Sequence, residues 1–561
     1  MRIFLFPLLL LACLVSVAQQ PGPYHYSIRK YMEAKRFAVS SAHPLASEAG
    51  AQIMREGGNA VDAAIAVQLA LAVVYPAAGN LGGGGFLVAR LADGRTVSID
   101  YREKAPAKAH RDMYLDPAGN PVARRSLDGH LAAGVPGTVA GLVASQEFGR
   151  LPLSRLVAPA IELAEKGFVI TEHEADGLNR LREAFIRLNT RPVAFVKDAP
   201  WKPGDTLVQK DLAGTLRRIA RKGMKGFYAG ETAKLVAEEM KRGGGIITEK
   251  DMAAYKAASR KPVEFDFRGH TVISMPLPSS GGIGLQQMLG MVDATHPEQF
   301  AFHSPEAVQR MIEAERRAYA DRAEFLGDPD FVKVPVAQLT GNAYLRQRIA
   351  DFTPGKPTPS TGVKAGGPFE STETTHLSVV DAEGNAVAVT TTLNGGYGSK
   401  VVVGGAGFLL NNEMDDFSVK PGTPNMYGLL GTEANAIAPG KRMLSSMTPT
   451  IVLKNGKPYL VTGTPGGSTI ITSMFQTLMN DIVFGLDAQT NVNAPKFHHQ
   501  WWPDEVRVEK EFPEATRIAL EKMGYTLKTG APWSRTELIR IENGKIEAVG
   551  DWRGDDSVAG E

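Results

Sequence analysis

Cysteine is almost missing: the 561-residue chain has one, Cys13. No disulfide can form within the chain, and zinc or iron–sulfur sites built from several thiolates are excluded. The fold must therefore be held by its core. A dominant charge is missing too. With 62 basic and 60 acidic residues and no long block of one sign, nothing in the pattern points to a nucleic-acid groove. No repeat recurs at a fixed period, which excludes solenoids and propellers. What remains, 43% hydrophobic and 22% charged, fits a globular chain with a large core.

The start of the chain stands apart. Arg2 precedes an apolar run from Ile3 to Ala12, followed by the small residues Ser16-Val17-Ala18. This pattern predicts an export signal over residues 1–18 and a periplasmic or extracellular location. The run falls short of the roughly 20 apolar residues that span a bilayer. Leu10-Leu11-Ala12-Cys13 is also similar to a lipoprotein box, in which Cys13 would be lipidated and the protein anchored.

From about residue 37, helix-like and strand-like stretches alternate with glycine-bearing turns. Ser47 to Gly58 reads as an amphipathic helix stopped by two glycines, and Asn59 to Val74 as a mostly buried helix. Gly82 to Gly85 is either a tight turn or a place of close backbone approach, before a strand at Leu87–Leu91. Ser304-Pro305 caps a helix that runs to about Phe325, and a shorter one spans Thr516 to Met523 before Gly524.

Residues 353–372, rich in Pro, Gly, Ser and Thr, are expected to form an accessible tether. It leads into Thr374–Val380, a turn at Asp381–Asn385 and a second strand at Ala386–Leu393: a hairpin that begins with threonine. On these local residues alone, Thr374 and Thr375 are an ordinary strand start. Freed as an N-terminus, however, a threonine carries its own base. An α-amino group has a pKa of roughly 7.7–8.0, so about one molecule in ten is unprotonated at neutral pH. A base beside the hydroxyl is what makes it a nucleophile, and such proton transfer contributes about 10²- to 10⁴-fold in rate.

Several separated motifs decide between the two readings. Glu56 to Ala64, Gly82–Gly85, Tyr101-Arg102-Glu103-Lys104-Ala105-Pro106, Gly134–Thr138 and Pro278-Ser279-Ser280-Gly281-Gly282 occupy the first part of the chain. Thr374-Thr375-His376, Asn411 to Phe417, Leu444-Ser445-Ser446-Met447, Pro465-Gly466-Gly467-Ser468 and Phe497 to Trp501 follow in the second. In content and order they closely resemble the γ-glutamyltranspeptidase family of N-terminal-nucleophile hydrolases, from about Phe37 to near the C-terminus.

The resemblance implies an α+β fold, a four-layer αββα sandwich. It implies self-cleavage between Glu373 and Thr374 into a large fragment, residues 19–373 with its flexible end at 353–373, and a small catalytic fragment, residues 374–561, that stay together as a heterodimer and one globular unit. Thr374 would be the nucleophile, Thr392 its hydrogen-bonded partner, and Gly466 and Gly467 the oxyanion hole. Arg102, Ser445 and Ser446 would hold the donor's α-carboxylate; Asn394, Glu413 and Asp416 its α-ammonium. Many bacterial relatives carry glutamine where Glu413 stands. Lys420 to Ile437, with Tyr427 near its middle, is similar to the family's lid loop. The expected activity is γ-glutamyl transfer and glutathione hydrolysis, through an ester passed to water, amino acids or dipeptides, without a cofactor. His498-His499 lack zinc-like companions in the sequence and read as structural. An acylase of the same fold acting on glutaryl-cephalosporin, and an uncut, inactive binding homologue, are the alternatives.

Overall fold

The computed structural model describes residues 26–360 and 374–561. The expected export signal, Cys13 and Glu373 lie outside the described residues. Thr374–Val380 and Ala386–Thr392 form the expected hairpin, and every residue of both strands is buried. Strands buried on both faces need cover on both, and the fold supplies it with a second sheet on one side and helices on the other.

The hairpin sits mid-sheet. Its seven antiparallel strands run in the order Ser557–Gly560, Ala38–Ser41, Thr374–Val380, Ala386–Thr392, Gly84–Arg90, Thr96–Asp100 and Ala258–Arg260. The facing sheet, also antiparallel, runs Tyr31–Ala34, Lys545–Val549, Glu537–Glu542, Lys457–Gly463, Thr450–Lys454, His270–Ser274 and Val263–Phe267. Each sheet mixes strands from both sides of Thr374. Side chains alternate as the pleat requires. Leu377, Val379, Val387 and Val389 join the core that includes the helices Pro44–Arg55 and Ala60–Val74. Val380, Ala386 and Ala388 join the other core, with residues of the facing sheet. Gly281–Asp293 and Thr469–Leu478 cover that sheet's outer face, with Pro305–Phe325 packed against the first of them. The result is helix, sheet, sheet, helix, the four layers expected of an α+β sandwich.

Local sequence explains the helix bounds. Asn59 caps Ala60–Val74, its side chain accepting from the Val61 and Asp62 amides while Asp62 reaches back to the Asn59 amide. All fifteen residues are buried, as an almost wholly apolar segment demands. The preceding helix starts at Pro44, three residues before the expected Ser47, because Pro44 occupies its first turn and His43 Nδ1 accepts from the Leu45 amide at 3.2 Å. Ser304 caps Pro305–Phe325 as read from the sequence. The last helix runs Glu514–Met523 and ends at Gly524, whose φ is 107°.

Two expectations are narrowed. None of Gly82–Gly85 lines the cleft described below. A methyl group on Gly83 would strike the Thr392 carbonyl, and one on Gly84 would meet Tyr101 and Glu103. These glycines serve close packing of protein on protein. The tether, as far as it is described, is exposed through most of 353–359 yet fastened to the Pro305–Phe325 helix and beyond. Gly355 N donates to Gln309, Thr358 N to Glu313 Oε1 at 3.2 Å, and Ser360 N to Asp504 Oδ2 at 2.7 Å.

Candidate active site

Register places the two threonines. Thr374 pairs directly with Thr392, and Thr375 with Thr391. Directly opposed residues of an antiparallel pair share a face with Cβ atoms about 4.5–5.5 Å apart. Thr374 and Thr392 therefore turn together into a cleft of about 280 Å³, which both of them line. Thr375 points to the opposite face and does not line that cleft, and its buried hydroxyl has no hydrogen-bond partner among the described residues. Alternation thus separates two adjacent threonines that local sequence could not. Thr392 Oγ1 accepts from the Asn394 amide at 2.8 Å, which ties the end of its strand to the next loop.

The remaining wall is built from loops that leave strands. Arg102 follows the Thr96–Asp100 strand and is 1% exposed. Its guanidinium donates to Glu413 Oε1 and, at 2.5 Å, to Asp416 Oδ2, with the Met443 and Leu444 carbonyls at 3.3 Å. The neighbouring Glu103 stands 3.7 Å away. Burial would depress the guanidinium pKa, but the charges of Glu413, Asp416 and Glu103 outweigh it and raise it. Burial is also the largest influence on the three carboxylates; against the pull of Arg102 it pushes Glu413, Asp416 and Glu103 upward. Glu413 Oε2 is buried and has no hydrogen-bond partner among the described residues.

Ser445 and Ser446 line the cleft opposite, carried by a segment that docks on the Pro278–Gly282 motif. Ser445 N donates to Pro278 O at 2.9 Å, Ser280 N to Ser445 O at 2.8 Å, and Ser279 Oγ to Met447 O at 2.6 Å. Two motifs distant in sequence are one structural unit. Gly467 lines the cleft at φ 56°, one turn ahead of the Thr469–Leu478 helix, where backbone N–H groups and the helix dipole favour negative charge. Gly466, at φ 135°, lies behind it against Ser534 and Thr469 and does not line the cleft. Tyr427 closes the top: its ring packs on Gly467 and its hydroxyl donates to Asn394 O at 2.7 Å. Asn394, at φ 74°, is in the left-handed region that asparagine tolerates, and its Nδ2 donates to Asn412 O at 3.0 Å.

Of the residues singled out from sequence, Thr374, Thr392, Gly467, Arg102, Asn394, Glu413, Asp416, Ser445, Ser446 and Tyr427 all meet at this cleft. Two other residues belong here and were not singled out. Asn80 Nδ2 donates to Thr392 O and Ala78 O, each at 2.9 Å, while its Oδ1 accepts from Gly83 N and Thr138 Oγ1; it anchors the Thr392 backbone. Arg322, from the Pro305–Phe325 helix, lines the cleft itself. Asparagine just before a glycine run was the only hint of the first, and nothing marked the second. His498 and His499 are engaged by protein: His498 bonds Thr472 and Gln500, and His499 Nδ1 accepts from Trp501 N at 3.0 Å. Among the described residues no group of His, Cys, Asp and Glu is arranged to hold a metal ion.

Comparison with known proteins bears on the same residues. The gamma-glutamyltranspeptidase family profile matches residues 46–561. The chain is 48% identical to a glutathione hydrolase proenzyme of Escherichia coli, over all of this chain and 98% of that one. It is 46% identical to one of Pseudomonas aeruginosa, over 92% and 93%. A cephalosporin acylase from Bacillus halodurans shares the fold with a TM-score of 0.82 at 27% identity, covering 97% of this chain and 99% of that one. The gamma-glutamyltranspeptidase of Helicobacter pylori superposes on 58% of this chain and 94% of its own, with a TM-score of 0.57 and 47% identity.

Proposed function

The chain belongs to the gamma-glutamyltranspeptidase family, and from that premise we propose how this cleft works as a γ-glutamyltransferase and glutathione hydrolase. Thr374 Oγ1 first attacks the Glu373 carbonyl, the resulting ester is hydrolysed, and Thr374 is left as an N-terminus. Its new α-amine then takes the hydroxyl proton as Thr374 attacks the γ-carbonyl of a donor such as glutathione. The oxyanion develops against the backbone N–H of Gly467, the residue of the Gly466-Gly467 turn that lines the cleft, where one such donor is worth about 10²- to 10³-fold in rate. Cysteinylglycine leaves with the proton, and a γ-glutamyl ester remains on Thr374. Water releases glutamate, or the amine of an amino acid or dipeptide takes the acyl group. Thr392, held by its register and by the Asn394 amide, keeps the nucleophile in place.

One observation carries this reading. The directly paired Thr374 and Thr392 stand on the floor of a cleft whose walls offer guanidinium and hydroxyl groups together with carboxylates. That is the complement of a zwitterion. The cephalosporin-acylase reading differs by one chemical group, since a glutaryl chain has a carboxylate but no ammonium. It would bring Glu413 and Asp416 no ammonium group to receive. Assay of γ-glutamyl-p-nitroanilide beside glutaryl-p-nitroanilide separates the two, with strong preference for the first expected. An uncut binding homologue would show neither activity.

Residues 1–18 are proposed to direct export, and the two fragments to remain associated as a heterodimer. Among the described residues no helix is long and apolar enough to cross a membrane. The deciding experiment is intact mass under denaturing conditions. Wild type should give two fragments that meet at Glu373–Thr374, with the first beginning near residue 19. Thr374→Ala should give one uncut chain without γ-glutamyl hydrolysis. A competent enzyme that runs as one polypeptide refutes the scheme.

A further inference from the structure

Arg322 is a second guanidinium in the cleft, and its surroundings differ from those of Arg102. Arg102 is encircled by carboxylates: Glu413, Asp416 and, slightly farther, Glu103. Arg322 is 7% exposed, yet among the described residues no carboxylate stands within ion-pair distance. Its hydrogen bonds go to hydroxyls, from Nε to Ser280 Oγ at 2.9 Å and from Nη2 to Ser446 Oγ at 3.2 Å. Asp416 acts on Arg322 only from beyond ion-pair distance, and a buried cation without a direct ion pair gains from any further negative charge brought to it. Here it faces a cleft that, on the functional reading above, receives a carboxylate.

The direction of these bonds matters. A serine hydroxyl has one hydrogen to give and lone pairs to receive with. Arg322 has no lone pair to offer, so at Ser446 it must be the donor; the Ser446 hydrogen is left for another acceptor. Ser445 is set the same way, its Oγ accepting from the Met447 amide at 3.2 Å. Ser280 is different, since it accepts from Arg322 and donates to Ser445 O at 2.6 Å. It is a fixed strut between the guanidinium and the serine pair.

We propose that Arg322 is a positioning residue for the donor's α-carboxylate: it occupies the acceptor side of Ser446 so that the hydroxyl hydrogen faces the cleft, and it supplies the positive charge that Arg102 shares with Glu413 and Asp416. Both guanidiniums line the cleft, and only Arg102 of the two is directly ion-paired to Glu413 and Asp416. Without Arg322 the entering carboxylate would meet only a guanidinium already engaged by Glu413 and Asp416.

The inference rests on the functional reading, and its test separates the two. Wild type, Arg322→Gln, Ser446→Ala and the double variant are compared on two donors: γ-glutamyl-p-nitroanilide and 4-aminobutanoyl-p-nitroanilide, which lacks only the α-carboxylate. Each single change is expected to lower kcat/KM on the first donor by roughly 10- to 100-fold, mainly through KM, the size of a lost charge-assisted contact. The second donor should change less than about threefold, so the preference for the carboxylate shrinks. The double variant should lose little beyond the larger single loss, because both changes break one linkage. Parallel loss on both donors, an unchanged preference, or losses that multiply would overturn the proposal. So would failure of Arg322→Gln to cleave itself, since a residue acting on the carboxylate leaves self-cleavage intact. If wild type itself does not turn over γ-glutamyl-p-nitroanilide, the functional reading falls, and this inference with it.

Discussion

Replacing Gly467 with alanine tests the cleft at its tightest point. The residue sits at φ 56°, a left-handed conformation that costs an L-residue with a Cβ roughly 1–2 kcal/mol. The added methyl would fall far inside van der Waals distance of the Tyr427 ring, and overpacking of this kind costs about 1–3 kcal/mol. Tyr427 cannot retreat freely, because its hydroxyl is bonded to Asn394 O at 2.7 Å. The strain, about 2–5 kcal/mol in all, must be relieved by moving the turn that presents the Gly467 amide or by displacing the lid. A shifted oxyanion donor lowers kcat by about 10²- to 10³-fold. The assay is kcat on γ-glutamyl-p-nitroanilide for protein shown by intact mass to be cut. Adding Tyr427→Ala removes the steric partner, so the double variant should recover at least part of the lost rate. A Gly467→Ala enzyme within tenfold of wild type, or no recovery in the double variant, would refute this account of the turn.

Other perturbations give equally definite outcomes. Asn80→Ala removes a side chain that satisfies the Thr392 carbonyl and the Gly83 amide; orphaning such groups costs about 1–3 kcal/mol each. Chemical denaturation should show the loss, and kcat should fall as Thr392 loses its anchor. Glu413→Gln keeps an acceptor for Arg102 but removes a desolvated charge, so donor KM should rise about tenfold while the melting temperature holds or increases. Glu174 reports on pH. Burial raises its carboxyl to about 8, and the facing His43 is lowered to about 4 and therefore neutral across the window. A carboxyl raised in the folded state stabilises the fold below its unfolded value near 4.5 and loses that contribution as pH rises through 8. Glu174→Gln should therefore gain stability relative to wild type between pH 5 and pH 8, by up to a few kcal/mol; equal melting-temperature differences at the two pH values would refute the assignment.

What sequence could reveal here follows from the range of the interactions concerned. Helices with local signals were readable: Ser304 with Pro305 lies within one turn of the helix it starts, and the helix after Asn59 showed itself by its almost wholly apolar content. The hairpin was readable because its turn and two apolar strands are contiguous. The start at Pro44 was missed because its cap is His43, a residue outside the usual capping set. Resemblance located most of the cleft, yet the roles of Thr374 and Thr375 depend on pleat alternation against a paired strand. Arg322 was invisible for a different reason. On a helix bearing Arg310, Glu313, Glu315, Arg316, Arg317, Asp321 and Arg322, charge suggests solvent, whereas every one of these is buried. Only tertiary packing shows which of them meets the cleft.

The interleaving of the sheets has a consequence for the life history of the molecule. Each sheet draws strands from both sides of Thr374, with Thr374–Val380 itself seated between Ala38–Ser41 and Ala386–Thr392. One continuous chain can find this weave by ordinary folding, since its own connectivity keeps every partner at hand. Two separate pieces, each lacking strands needed to finish either sheet, would have to find one another as strangers in solution. On the proposed scheme assembly must therefore precede cleavage, and the scission that would free Thr374 would also break the connectivity by which the molecule was put together. If it is cut as proposed, such an enzyme is made once: melted after maturation, it would lack the covalent link that first brought its halves into register.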